Sequence, residues 1–267
     1  MDGQPKRSPS DPKRRRLQFW IFLIAGAWML ATLAVSAYVG AQRGGGLPAV
    51  RIGLESVWSF RSSTGAEAVD SVGAAAGRIL NAVWVEGRGY LALQFDGQSS
   101  VVEIPDLSLG SSDGSFTVCC WIRPDSTRDR QILLVVLGGP DEDLRVAPVA
   151  VYVPWGQGRV GLALYNGDRR VGFLSDGTIL RNRWQHVAVS LNGTSGRLRF
   201  YIDGELAEDR QTTVIPLASQ HSLPARIGAE SIRLPGRFGL QADLDSVSLY
   251  RRELEPEEIQ RLAVAPQ

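Results

Sequence analysis

NRWQHVAVSLNGTSGRLRFYIDG, residues 182–204, alternates side-chain character on both sides of a glycine-bearing turn. Before the turn, Val187, Val189 and Leu191 share one parity, while Trp184, His186 and Ser190 take the other. After it, Leu198, Phe200 and Ile202 fall on one side, and Arg199 and Tyr201 on the other. A period of two belongs to a strand, whose successive side chains point to opposite faces. Gly193 and Gly196 supply the backbone freedom that the connection needs. The stretch is therefore a β-hairpin with one apolar face, which must be buried against a second sheet. The opposite face, with its rings and polar groups, is expected to be open, as a concave binding surface would be. On that reading Phe200→Ala removes a buried ring, and Arg199→Ala on the outer side costs little.

The same grammar continues outward from this hairpin. Asp96-Gly97, Asp113-Gly114, Asn166-Gly167, Asp176-Gly177, Asn192-Gly193 and Asp203-Gly204 all suit tight turns. Between them lie short apolar or alternating runs, among them LALQF (91–95), SSVVEI (99–104), SFTVCCWI (115–122), VAVYV (149–153) and VGLALY (160–165). Many short strands at such spacing indicate a sandwich or barrel rather than βαβ units. One helix is predicted at the end, where Pro256-Glu257-Glu258-Ile259 opens with proline and acids. Cys119 and Cys120 are adjacent on a strand, point to opposite faces and cannot pair with each other; both are read as packing residues.

The hairpin resembles the central one of laminin-G-like, concanavalin A-like jelly-roll domains, with the pattern W-x-H-V-A-V, a glycine turn, then L-x-x-Y-x-D-G. Further pieces are similar and fall in the same order: Leu91–Gly97 with Val101–Pro105, Phe116–Pro124, and the closing run from Phe238-Gly239 through Leu244–Tyr250 to Glu257-Glu258-Ile259. The resemblance covers roughly 51–264 and implies an all-β, two-sheet antiparallel jelly-roll sandwich. It does not imply one activity, because such sandwiches serve as lectins, adhesion modules, hydrolases and scaffolds. The family often holds a structural Ca²⁺, and two residues are candidates for it. Asp245 shares parity with Val247 and Leu249 and should point inward, and Asp70 resembles the family's early acidic loop. The alternative is that backbone amides or an arginine satisfy Asp245.

The N-terminal part is of a different kind. Phe19–Val39 holds 21 residues without one charge, long enough for a bilayer-crossing helix. Residues 1–16 carry six basic and two acidic groups, and Lys13-Arg14-Arg15-Arg16 stands directly before the apolar run. Flanking positive charge stays on the cytoplasmic side. The expected organisation is a basic cytoplasmic tail (1–16), a single transmembrane helix (17–41), a flexible linker (42–50) bearing Gly44-Gly45-Gly46, and a domain at 51–264 that is periplasmic or extracellular. A cleaved signal peptide would need a shorter apolar region. A net charge of +1 over the chain gives no reason to expect a nucleic-acid partner.

Catalytic signatures are few. Related β-glucanases carry E-x-D-x-E on one strand, the paired acids that glycoside hydrolysis needs, and this chain has no such run. Asp141-Glu142-Asp143 is contiguous and loop-like, and neither His186 nor His221 sits near a nucleophile-elbow serine. Trp155 lies in a turn-rich stretch and is a candidate for stacking on a sugar or a partner. Asn192-Gly193-Thr194 is a glycosylation sequon, with the hairpin turn as the preferred reading. The chain is thus expected not to be an enzyme. Two roles remain: an anchored, lectin-like extracytoplasmic module recognising glycan or a protein surface, or a structural accessory subunit docked on a larger membrane complex.

Overall fold

The computed structural model describes residues 50–60, 65–109, 111–125, 131–136, 147–154, 158–216, 223–229 and 238–264. These form β1 (Leu54–Trp58), β2 (Glu67–Ala68), β3 (Gly77–Leu80), β4 (Val83–Glu86), β5 (Leu91–Asp96) and β6 (Val101–Leu107). They continue with β7 (Phe116–Pro124), β8 (Gln131–Val136), β9 (Val149–Val153), β10 (Arg159–Tyr165) and β11 (Arg170–Thr178). The remainder is β12 (Gln185–Leu191), β13 (Arg197–Ile202), β14 (Glu205–Gln211), β15 (Leu223–Ile227), β16 (Gln241–Tyr250) and helix α1 (Pro256–Val264). The expected tail and membrane span lie outside the described residues. Among the described residues no helix is long and apolar enough to cross a membrane.

Two sheets face each other. The first has the order β14-β13-β12-β7-β16-β5-β4, with β1 pairing β16; the second runs β11-β10-β9-β8-β15-β6-β3-β2. Every pairing is antiparallel. The expected all-β sandwich is thus present. In the predicted hairpin Val189 pairs with Phe200 on one side and with Val118 on the other. Val187, Val189, Leu191, Leu198 and Phe200 all lie in the core between the sheets, joined there by Trp58, Phe95, Phe116 and Leu244. Asp203 and Gly204 both have positive φ, 52° and 84°, as a two-residue turn matched to strand twist requires. Gly193 has a different reason to be glycine: a Cβ there would stand 1.8 Å from the Asp113 carbonyl oxygen.

Helix α1 begins where proline and acids predicted it. Glu258 accepts from the Glu255 amide at 3.0 Å, satisfying a donor at the helix start. Its other contacts are two hydrogen bonds from Arg252, at 2.6 and 2.7 Å. The helix lays Ile259 and Leu262 on the outer face of the first sheet, against Cys119, Ala188, Tyr201, Tyr250 and Leu254. Half of the face expected to be open is therefore roofed. His186 and Ser190 are fully buried. Arg199 is 4% exposed and ion-pairs with Glu253, just before the helix. The expectation that Arg199 lies on an open outer side is corrected accordingly.

The calcium candidates are placed as follows. Both carboxylate oxygens of Asp70 are taken by main-chain donors: Val57, Val72 and Gly73 amides reach Oδ1 at 2.9, 3.1 and 3.0 Å, and the Ala75 amide reaches Oδ2 at 3.2 Å. Asp245 is fully buried. It sits where the pairing of β16 with β7 slips between Leu244 and Val247, so parity with Val247 does not carry across to it. Among the described residues no group of three or more His, Cys, Asp or Glu gathers where it could hold a metal. Ca²⁺ takes roughly six to eight oxygens, and both carboxylate oxygens of Asp70 already accept main-chain hydrogen bonds.

Candidate functional site

The part of the outer face that α1 leaves open is crossed by one row of cross-strand neighbours. On β7, Arg123 stands opposite Asp243 of β16; Asp243 stands opposite Gln94 of β5; Gln94 stands opposite Val83 of β4. Trp184, the residue before β12, extends the row at its far end, with the Arg123 guanidinium carbon 5.1 Å from its ring centroid. Directly opposite residues in an antiparallel pair bring their side chains together, so one sheet aligns a ring, a guanidinium, a carboxylate and an amide.

The contacts fix that row. Asp243 Oδ2 accepts from Arg123 Nε and Nη2, each at 2.7 Å. Asp243 Oδ1 accepts from Gln94 Nε2 at 3.1 Å. Two donors from two different strands hold the carboxylate in place, and a guanidinium gripping a carboxylate through two nitrogens is geometrically specific. The row is accessible at its flanks, where Gln94 is exposed, Trp184 is half-buried and the Arg123 side chain is 35% exposed, while Asp243 between them is buried. Val83 ends it as an exposed apolar residue.

Deeper on the same face stands a second rung. His186 of β12 is opposite Trp121 of β7, with ring centroids 5.4 Å apart in an edge-on arrangement. The Arg88 guanidinium lies over the Trp121 ring, 3.2 Å from its centroid. Burial pushes the His186 imidazole down to about 4, with Arg88 acting in the same direction and Asp203 against it. His186 is therefore neutral at physiological pH.

A cleft on the second sheet, about 440 Å³, is lined by Arg78, Glu103, Ile104, Pro105, Pro224, Ala225 and Arg226. It lacks an aromatic ring, so the row combines more of the features of a recognition surface.

The other sequence candidates fall elsewhere. Cys119 and Cys120 are buried and unpaired, on opposite faces as alternation requires: Cys120 in the intersheet core, Cys119 under α1. Burial raises both thiols, so neither is a ready thiolate. The side chain of Asn192 donates to Glu253 at 2.7 Å and accepts from the Ser195 amide at 2.8 Å, closing the hairpin turn. Trp155, His221 and Asp141-Glu142-Asp143 lie outside the described residues. Sequence reasoning singled out Trp184 and His186 but missed Arg123, Asp243, Gln94 and Arg88. Alternation puts Arg123 on the face of Trp121, yet the register that joins it to residues far along the chain is not written locally.

A family model for the concanavalin A-like lectin/glucanases superfamily, of the laminin-G type, matches residues 96–260. The chain belongs to this superfamily. Among curated proteins nothing matches it. Domain 4 of AbnA, a GH43 extracellular arabinanase from Geobacillus stearothermophilus solved in complex with arabinotriose, is similar. The likeness has a TM-score of 0.60 at 20% identity and covers 79% of this chain and 98% of that one. Trypanosoma rangeli sialidase in complex with sialic acid gives a TM-score of 0.60 at 19% identity over 82% of this chain, which spans about a third (34%) of the sialidase. The binding domain of Paraclostridial Mosquitocidal Protein 1 gives 0.52 at 16% identity, over 69% of this chain and 46% of that one.

At these identities the likeness establishes the fold. It also corrects the expectation of a non-enzymatic chain, whether as an anchored module recognising glycan or protein or as an accessory subunit of a membrane complex. The similar structures come from an arabinanase and a sialidase, which lean toward carbohydrate-active function. The sequence expectation considered acids on one strand, whereas the sandwich brings polar groups together from residues as far apart as Gln94 and Asp243.

Proposed function

We propose that the domain is carbohydrate-active, taking an oligosaccharide along the row Trp184–Arg123–Asp243–Gln94. A sugar ring presents an apolar C–H face and a rim of vicinal hydroxyls. A half-buried indole offers a surface for the first. The second suits a fixed carboxylate, guanidinium and amide, which accept and donate in a plane. A few convergent polar groups beside apolar surface are the usual make-up of a small-molecule site. The observation that carries the reading is the immobilised Asp243 carboxylate, held by Gln94 on one side and by Arg123 on the other, with the Arg123 guanidinium also lying over Trp184. The arabinotriose complex of the similar arabinanase domain supports the choice of ligand class.

The setting follows from the N-terminal charge pattern. The span at 17–41 anchors the chain with its tail in the cytoplasm and its domain in the periplasm or outside the cell. Carbonate-washed membranes should retain the intact protein, and protease added from outside should remove the domain and spare the tail. A soluble form beginning near Gln42 would overturn the anchor.

The functional reading is tested with the full chain in detergent, incubated with arabinotriose and with a sialoside. Saturable binding is expected for at least one, with release of shorter sugars scored in parallel. Neither binding nor release of product, from protein that melts cooperatively, would overturn it.

A further inference from the structure

Between the outer face of the first sheet and the last turn of α1 lies a cavity of about 10 Å³, lined by Cys119, Cys120, Trp121, His186, Ser246, Ser248 and Leu262. Two of its lining side chains carry a buried polar atom with no hydrogen-bond partner, Nε1 of Trp121 and Nδ1 of His186. Trp121 is 7% exposed and His186 1%. Leaving such atoms dry is costly, because each loses its hydrogen bond to water without a replacement.

The chemistry of the two atoms is complementary but not direct. An indole N–H only donates. A buried, neutral imidazole with an unpartnered nitrogen has an acceptor to offer. Their rings meet edge-on with centroids 5.4 Å apart, so both border the same small cavity. The occupant must accept from one side and donate to the other. A metal cation is disfavoured by the indole N–H, which only donates, and an anion by the absence of a charged donor among the lining side chains. The volume is that of a single water molecule, for which about 10–15 Å³ suffices in a polar site with two to four partners.

We propose that this cavity binds one resident water molecule, which accepts from Trp121 Nε1 and donates to His186 Nδ1, with the Ser246 and Ser248 hydroxyls beside it. The water joins β7, β12 and the slipped segment of β16 at this cavity. It also fixes the tautomer of His186, leaving the ring proton on Nε2. Its position beneath Arg88 and Trp121 makes it part of the support under the neighbouring rung, the saccharide row; the inference itself does not rest on the sugar reading.

The test is a crystal structure of the full chain in detergent, at a resolution that shows ordered solvent, paired with NMR of protein carrying ¹⁵N-tryptophan and ¹⁵N-histidine. One isolated density peak within hydrogen-bonding distance of both nitrogens is expected. So is a cross-peak from the Trp121 indole proton to a long-lived water, with a His186 Nδ1 shift typical of a non-protonated nitrogen. Trp121→Phe, which deletes the donor, should lower the occupancy of that peak. If this variant does not fold, the wild-type density and cross-peak decide alone. A cavity without density, or a His186 ring turned so that Nδ1 bonds a protein group, would overturn the proposal whatever happens with sugars.

Discussion

Phe200 and Arg199 are neighbours on β13 with opposite surroundings, and both are closed off from water. Phe200 is fully buried in the intersheet core. Phe200→Ala should therefore cost about 3–5 kcal/mol, a large share of a domain stability of about 5–15 kcal/mol. Arg199 ion-pairs with Glu253, whose side chain is 11% exposed. Arg199→Ala leaves that carboxylate without its cation, and removing one partner of a buried pair costs about 3–5 kcal/mol. Denaturant midpoints of the two variants should fall comparably, with Arg199→Ala at wild-type stability as the contrary result. Parity was legible in residues 198–202, and the structure keeps it. The burial of Arg199 was not, because its roof is supplied by residues some fifty positions later.

His186 makes a pH dependence. Its imidazole lies at about 4 in the folded chain against an ordinary 6.5, mainly through burial. The unfolded chain takes up the proton first as pH falls below 6.5, so protonation favours unfolding. The stability associated with neutral His186 is fully present above 6.5 and lost between 6.5 and 4, up to the order of 3 kcal/mol. Asp96, Asp113, Asp209 and Glu258 have lowered values and also lose stability in acid. His186→Gln isolates the histidine: its stability profile between pH 6.5 and 4 should be flatter than the wild type's. Parallel profiles would refute the assignment.

At the scale of elements, α1 shows what local sequence can and cannot convey. Proline, two acids and an isoleucine at 256–259 fixed its start, and the Glu258 bond to the Glu255 amide explains why. Its destination on the outer face of the first sheet was not readable, since nothing in nine residues says which sheet face awaits them. Ile259 is fully buried there. Ile259→Ala should lower stability by about 2–5 kcal/mol, more than Glu258→Ala, whose contacts with Arg252 are partly exposed and worth about 1 kcal/mol. Chemical denaturation orders the two, and a reversed order would mean that α1 contributes by charge rather than packing. The slip in β16 is the other element that alternation could not foresee: Leu244 and Val247 both face the core although three positions apart. That irregularity removed the basis for reading Asp245 from the parity of Val247.

For the whole molecule, turn dipeptides and period-two runs were enough to predict a sandwich or barrel, the resemblance implied the two-sheet sandwich, and the family match over residues 96–260 agrees. The functional row was hidden for a topological reason. Gln94, Arg123 and Asp243 come from β5, β7 and β16, which lie side by side only after β16 has threaded between the other two. Gln94 alone is an exposed polar group and Arg123 a partly exposed one. Together they hold one buried carboxylate in a row that Arg123 extends to Trp184.

The direct test of this account is calorimetric titration of the full chain with arabinotriose, comparing wild type with Asp243→Asn. The substitution keeps the shape of the side chain but breaks the ion pair with Arg123, so thermal melting of both proteins is measured alongside. The account predicts saturable binding by the wild type and a loss of affinity of about tenfold or more in the variant, equivalent to about 1.4 kcal/mol. Equal affinity in the two proteins, with folding intact in both, would contradict it.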